Sequence, residues 1–84
     1  MKIYGYNDRC NLCGPRVRQA REQAGLTQEQ LAARLQVAGV QVNQKAISRI
    51  ETGHRVVADY ELAALASVLR ADVGWLLNPP GEQD

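Results

Sequence analysis

Apolar residues recur at three- and four-residue intervals in five separate stretches, each opened by a residue suited to a cap or a first turn. That pattern predicts short amphipathic helices. The first stretch sets Val17, Ala20 and Ala24 on one face, with Leu12 placed to join them. It starts between Asn11 and Gly14, so Pro15 falls in the first turn, where a missing N–H matters least. Arg21 lies on the same apolar side, and a cation there needs a partner. Ala24-Gly25-Leu26 reads as a glycine-terminated end, with Leu26 returning to the core. Thr27-Gln28-Glu29-Gln30 is a capping box, opening a second helix with Leu31, Ala32 and Leu35 inward. From Gln36 to Val42 the periodicity fades. Gly39 is the expected break there, and Val37, Val40 and Val42 give the connection apolar contacts.

The third stretch runs from Asn43, a good N-cap, to Gly53, suited to the left-handed position that ends a helix. Ile47, Ile50 and Glu51 share one side of it. The other side carries Gln44, Lys45, Ser48, Arg49 and Thr52, almost all of them groups that bond the edges of base pairs. Arg suits guanine, Gln suits adenine, and Ser or Thr suits either. An ordinary solvated face gives the same pattern, so the neighbours must decide. After a loop at His54-Arg55-Val56-Val57, a fourth helix starts at Ala58 or Asp59 and spaces Leu62, Leu65, Ala66 and Leu69 for burial. Asp72 caps a short fifth helix holding Val73, Trp75, Leu76 and Leu77, and a frayed tail is expected beyond it.

Eighty-four residues without a phenylalanine, rich in alanine and leucine, support one domain of small helices. The net charge of +1 argues against a strong polyanion binder, but its distribution changes that picture. Residues 1–55 hold nine Lys/Arg against four Asp/Glu, and residues 56–84 one against five. One end can face phosphate while the other faces solvent. No apolar run approaches a membrane span, and the first residues lack the apolar centre of a signal peptide. The chain is therefore expected to be cytoplasmic, with no membrane partner.

Cys10 and Cys13 form a Cys-x-x-Cys, but one histidine and no third cysteine leave a zinc site short of ligands, so no metal is expected. Two reduced thiols at a helix start is the plain reading; an inter-chain zinc site or a regulatory disulfide are the alternatives. Ile3, Tyr4 and Tyr6 sit in a segment too short to fold alone, which could be a packed arm, a strand pairing with a second copy, or disordered. The chain has no histidine-plus-nucleophile set, no phosphate-cradling glycine loop and no clustered acids outside helix caps, so neither an enzyme nor a cofactor is expected.

Taken in order, the motifs resemble the helix-turn-helix domain of phage lambda repressor and Cro and the related bacterial xenobiotic-response-element-type regulators. The resemblance rests on Gly14-Pro15-Arg16-Val17-Arg18, Gly25-Leu26-Thr27-Gln28-Glu29-Gln30-Leu31-Ala32 and Ala46-Ile47-Ser48-Arg49-Ile50-Glu51-Thr52-Gly53. It continues through Leu62, Leu65 and Ala66 to Trp75-Leu76-Leu77. It implies an all-α, five-helix lambda-repressor-like domain over residues 12–77, preceded by an arm (1–11) and followed by a tail (78–84). Helix two would cross the DNA backbone and helix three would enter the major groove. By position, Gln44, Lys45 and Arg49 fall on base-contacting sites and Gln28 on a phosphate-contacting one. The resemblance also implies an ion pair between Arg21 and Glu51. Ser48 joins the base-reading set by its place on the outer face, and Thr27, Asn43, His54 and Arg55 are further phosphate candidates. The expected function is sequence-specific binding of double-stranded DNA by a transcriptional regulator, a repressor, acting as a homodimer. A protein-binding antitoxin or adaptor using the same face is the alternative. One departure stands out: between Leu35 and Ile47 the chain is about five residues longer than the family's short turn. A lengthened helix two and a wider turn should absorb the excess.

Overall fold

The computed structural model describes residues 8–80; the expectations for Ile3, Tyr4, Tyr6 and the last four residues lie outside that range. Five helices follow in order: α1 (Gly14–Gln23), α2 (Gln28–Val37), α3 (Gln44–Glu51), α4 (Asp59–Leu69) and α5 (Val73–Leu76). α3 packs on both α1 and α2, α4 packs on α1 and α2, and α5 closes the α1–α4 end. Val17, Leu31, Leu35, Ile47, Ile50, Leu65 and Leu76 meet in one core, fully buried, so the three- and four-residue spacings all point to a single centre.

The local starts and stops follow side-chain chemistry. Thr27 Oγ1 accepts from Gln30 N–H at 3.0 Å and Gln30 Oε1 accepts from Thr27 N–H at 2.8 Å, completing the box that opens α2. Asn43 Oδ1 accepts from Ala46 N–H at 2.9 Å and Asp72 Oδ2 from Trp75 N–H at 3.0 Å. The start of α1 is capped from further away: Gly14 N–H donates to Asn11 Oδ1 at 2.9 Å.

Two apolar positions lie exposed against the sequence expectation. Ala24 lies exposed, because it is the residue on which α1 ends rather than part of its inner face; Cys13, one turn before Val17, is buried instead. Val37 is 90% exposed, since α2 runs two residues past Leu35 and turns that position outward. On α5, Val73 and Leu77 are 39% and 42% exposed, so Leu76 is the buried residue of a helix only four residues long.

The extra residues after Leu35 form a packed turn. Gly39, at φ 95°, ends α2, and Val40 N–H returns to the Leu35 carbonyl at 2.9 Å. Val40 and Val42 are buried, and the Gln36 amide donates to the Val42 carbonyl. The wider turn therefore delivers the chain to Asn43 with Ile47 and Ile50 seated in the core.

Candidate nucleic-acid interface

The two unlike sides of α3 separate cleanly in space. Ile47, Ile50 and Glu51 are buried, whereas Gln44, Lys45, Arg49 and Thr52 are exposed and Ser48 is half-buried between them. The hydrogen-bonding edge bearing Lys45 and Arg49 thus faces solvent.

Behind that edge runs a continuous polar brace. Arg21 of α1 donates from Nε to Glu51 Oε2 at 2.6 Å and from Nη2 to Glu51 Oε1 at 3.0 Å. Its Nη1 donates to the Leu26 carbonyl at 2.9 Å. The fork geometry fixes the end of α3 against α1, and the Glu51 carboxylate raises the Arg21 pKa further. Glu51 Oε1 also accepts from Gln28 Nε2 at 3.0 Å, and Gln28 Oε1 accepts from Gln44 Nε2 at 2.6 Å. A side chain on the exposed face is thereby tied, through α2, to an ion pair at the core boundary. Amide orientation matters here, because Gln44 spends one N–H on Gln28 and keeps its carbonyl oxygen and second N–H for a ligand. A shallow cleft lined by Arg21, Thr27, Gln28, Glu29 and Gln44 lies over this brace.

The far end of α3 is held differently. Arg49 Nη2 donates to the His54 carbonyl at 2.9 Å, and His54 N–H donates to the Arg49 carbonyl at 2.8 Å. Thr52 Oγ1 lies 2.9 Å from His54 Nδ1. His54 is exposed beside Arg49, so the loop adds a polar group to the same edge.

Arg55, a phosphate candidate in the sequence, is paired within the protein. Its Nη1 and Nη2 donate to Glu61 Oε1 and Oε2 at 2.9 and 3.0 Å, a bidentate pair that joins the loop to α4. This pairing holds the Glu61 carboxyl below its ordinary pKa, helped by a bond from Ala58 N–H, and raises that of Arg55. The charge of Arg55 is therefore balanced by a carboxylate of the same chain.

Sequence reasoning missed the segment Arg9–Cys13, which crosses the end of α3 as a strap. Asn11 Nδ2 donates to the carbonyls of Ile50 at 3.1 Å and Arg55 at 2.7 Å, and Cys10 N–H donates to the Gly53 carbonyl at 2.8 Å. Arg9 Nη2 reaches the Glu51 carbonyl at 3.4 Å, and the guanidinium lies flat over Gly53. A Cβ at Gly53 would meet the Arg9 guanidinium carbon at 2.6 Å, and one at Gly14 would strike the Ile50 carbonyl. Close approach to a main-chain oxygen requires glycine at Gly14, whereas at Gly53 it is the left-handed φ of 84° that favours it. The available signal was Asn11, three residues before Gly14, which reads as a cap. Its longer-range partners are main-chain carbonyls and leave no mark in sequence.

Arg16, part of the resemblance but given no role, is buried at 8% exposure. Its guanidinium lies 4.5 Å from the Trp75 ring centre, and its Nε donates to the Asn78 carbonyl at 2.8 Å. The Cys13 thiol sits in the core with its pKa pushed up to about 11 by burial, which makes it a poor nucleophile or metal ligand. Among the described residues no group of three His, Cys, Asp or Glu side chains is arranged to hold a metal, and no helix is long and apolar enough to cross a membrane.

The family model described as helix-turn-helix matches residues 17–76, from the fourth residue of α1 to the last of α5. No curated protein matches the chain.

Proposed function

The chain belongs to the helix-turn-helix family of lambda repressor and Cro type, whose members are DNA-binding transcription regulators, and from that premise we propose that it reads duplex DNA sequence with α3 as a repressor that occludes a promoter. The observation that carries this reading is the solvent-facing edge of α3, with Lys45 and Arg49 exposed and the Arg21–Glu51–Gln28 brace behind it. A reading helix must hold its side chains to within a fraction of an ångström, and the brace supplies that stiffness.

Arg49 reads guanine, Gln44 and Lys45 read neighbouring bases, and Ser48 contributes from its half-buried place between them. Thr27, Gln28, Asn43 and His54 hold phosphates and set register. Arg55, paired with Glu61, supports the loop rather than the phosphates. Two copies occupy half-sites roughly 34–36 Å apart. Val73 and Leu77, the exposed apolar residues at the α5 end, give the pair a contact surface. Such a protein acts in the cytoplasm, where its operator is.

Selection of bound duplexes from a random pool tests this. An enriched sequence with two half-sites is expected, with affinity falling steeply between low and moderate salt. Arg49→Ala should flatten preference at one base position, a loss of roughly 1–3 kcal/mol in discrimination. Equal loss on selected and random DNA would remove the readout role of Arg49. Failure to enrich any duplex would leave the antitoxin or adaptor reading in its place.

A further inference from the structure

We infer that Asn11 is a positioning residue for Arg49: through the loop after α3 it fixes the direction in which that guanidinium is presented. This rests on the reading of α3 as the DNA-reading helix and adds a residue outside the matched span of 17–76.

Arg49 Nη2 is held by the His54 carbonyl at 2.9 Å, so the guanidinium points where the loop directs it. The loop carbonyls on either side of His54 belong to Gly53 and Arg55. Cys10 N–H bonds the first at 2.8 Å and Asn11 Nδ2 bonds the second at 2.7 Å. The same Nδ2 bonds the Ile50 carbonyl at 3.1 Å, tying the loop to the last turn of α3. Asn11 is buried, and its Oδ1 is anchored by Gly14 N–H at the start of α1. One amide group thus joins the frame of α1, the end of α3 and the carbonyl next to the one that holds Arg49. Arg9 adds a flat guanidinium against Gly53, with its Nε buried and without an acceptor among the described residues.

A double-mutant cycle on the full chain tests this, using Asn11→Ala, Arg49→Ala and the double variant against the selected duplex, each well below its melting temperature. Asn11→Ala alone is expected to lower preference for the base read by Arg49 by roughly threefold or more, and the two losses to be strongly non-additive. Arg9→Gln leaves the Asn11 bonds in place and should shift preference at the same position more weakly, which serves if Asn11→Ala does not fold. Additive losses, or an Asn11→Ala variant that melts earlier but selects an unchanged sequence, would overturn the inference alone. A wild-type chain that selects no duplex would overturn it together with the reading on which it rests.

Discussion

Glu51 accepts three hydrogen bonds while nearly buried, two from Arg21 and one from Gln28. Removing it strands a guanidinium at the core boundary, and breaking such a pair from one side costs about 3–5 kcal/mol. Glu51→Ala is therefore expected to lose DNA binding by unfolding, read as a large drop in melting midpoint; an unchanged midpoint would contradict this. Each charge stood out in sequence because it falls on an apolar helix face, where an unpaired ion is untenable; that the two pair with each other was implied by the family resemblance. Arg16 sits just as deep, yet its sequence neighbours gave no sign of its burial. Gln19, one turn on, accepts from its Nη1, but the partners that hold it deep are the face of Trp75 and the carbonyl of Asn78, and neither a ring face nor a main-chain oxygen can be seen in a one-dimensional pattern. The same limit hid Asn11.

Helix order, starts and stops were legible, since caps, boxes and glycines act over three or four residues. What failed was the assignment of faces near helix ends. Val37 continues the apolar spacing of α2 but lies where the helix has already run clear of the core, so it faces water. On α5, too short to bury more than one side, Leu77 and Val73 are likewise part-exposed. The end of α4 carries a residual mismatch: Arg70 adopts φ 55° and ψ 45°, a left-handed conformation that glycine takes readily and an L side chain resists. Arg70→Gly should raise stability by about 0.5–1 kcal/mol, part of the gain being returned through the freer unfolded chain. Denaturant melts of the variant check the sign.

Across the whole molecule, charge is divided between an edge kept open and pairs that stitch elements together. Arg55 and Glu61 join the loop after α3 to α4, and the pair depresses the Glu61 pKa. A carboxyl lowered on folding contributes stability above its unfolded value, about 4.3, and loses it as pH falls through the lower folded value. Acid titration of stability should therefore show a loss beginning below that value, and Glu61→Gln should make this limb shallower while lowering stability at neutral pH. An acid limb of unchanged slope in the variant would rule out Glu61 as its source. The crossing of residues 9–13 over the end of α3 also bears on protein engineering. Transplanting residues 43–53 alone into another scaffold would leave behind the amide that steadies their far end. A portable version of this reading head has two pieces, distant in sequence, and a graft that omits the shorter one should arrive with its key side chain unaimed.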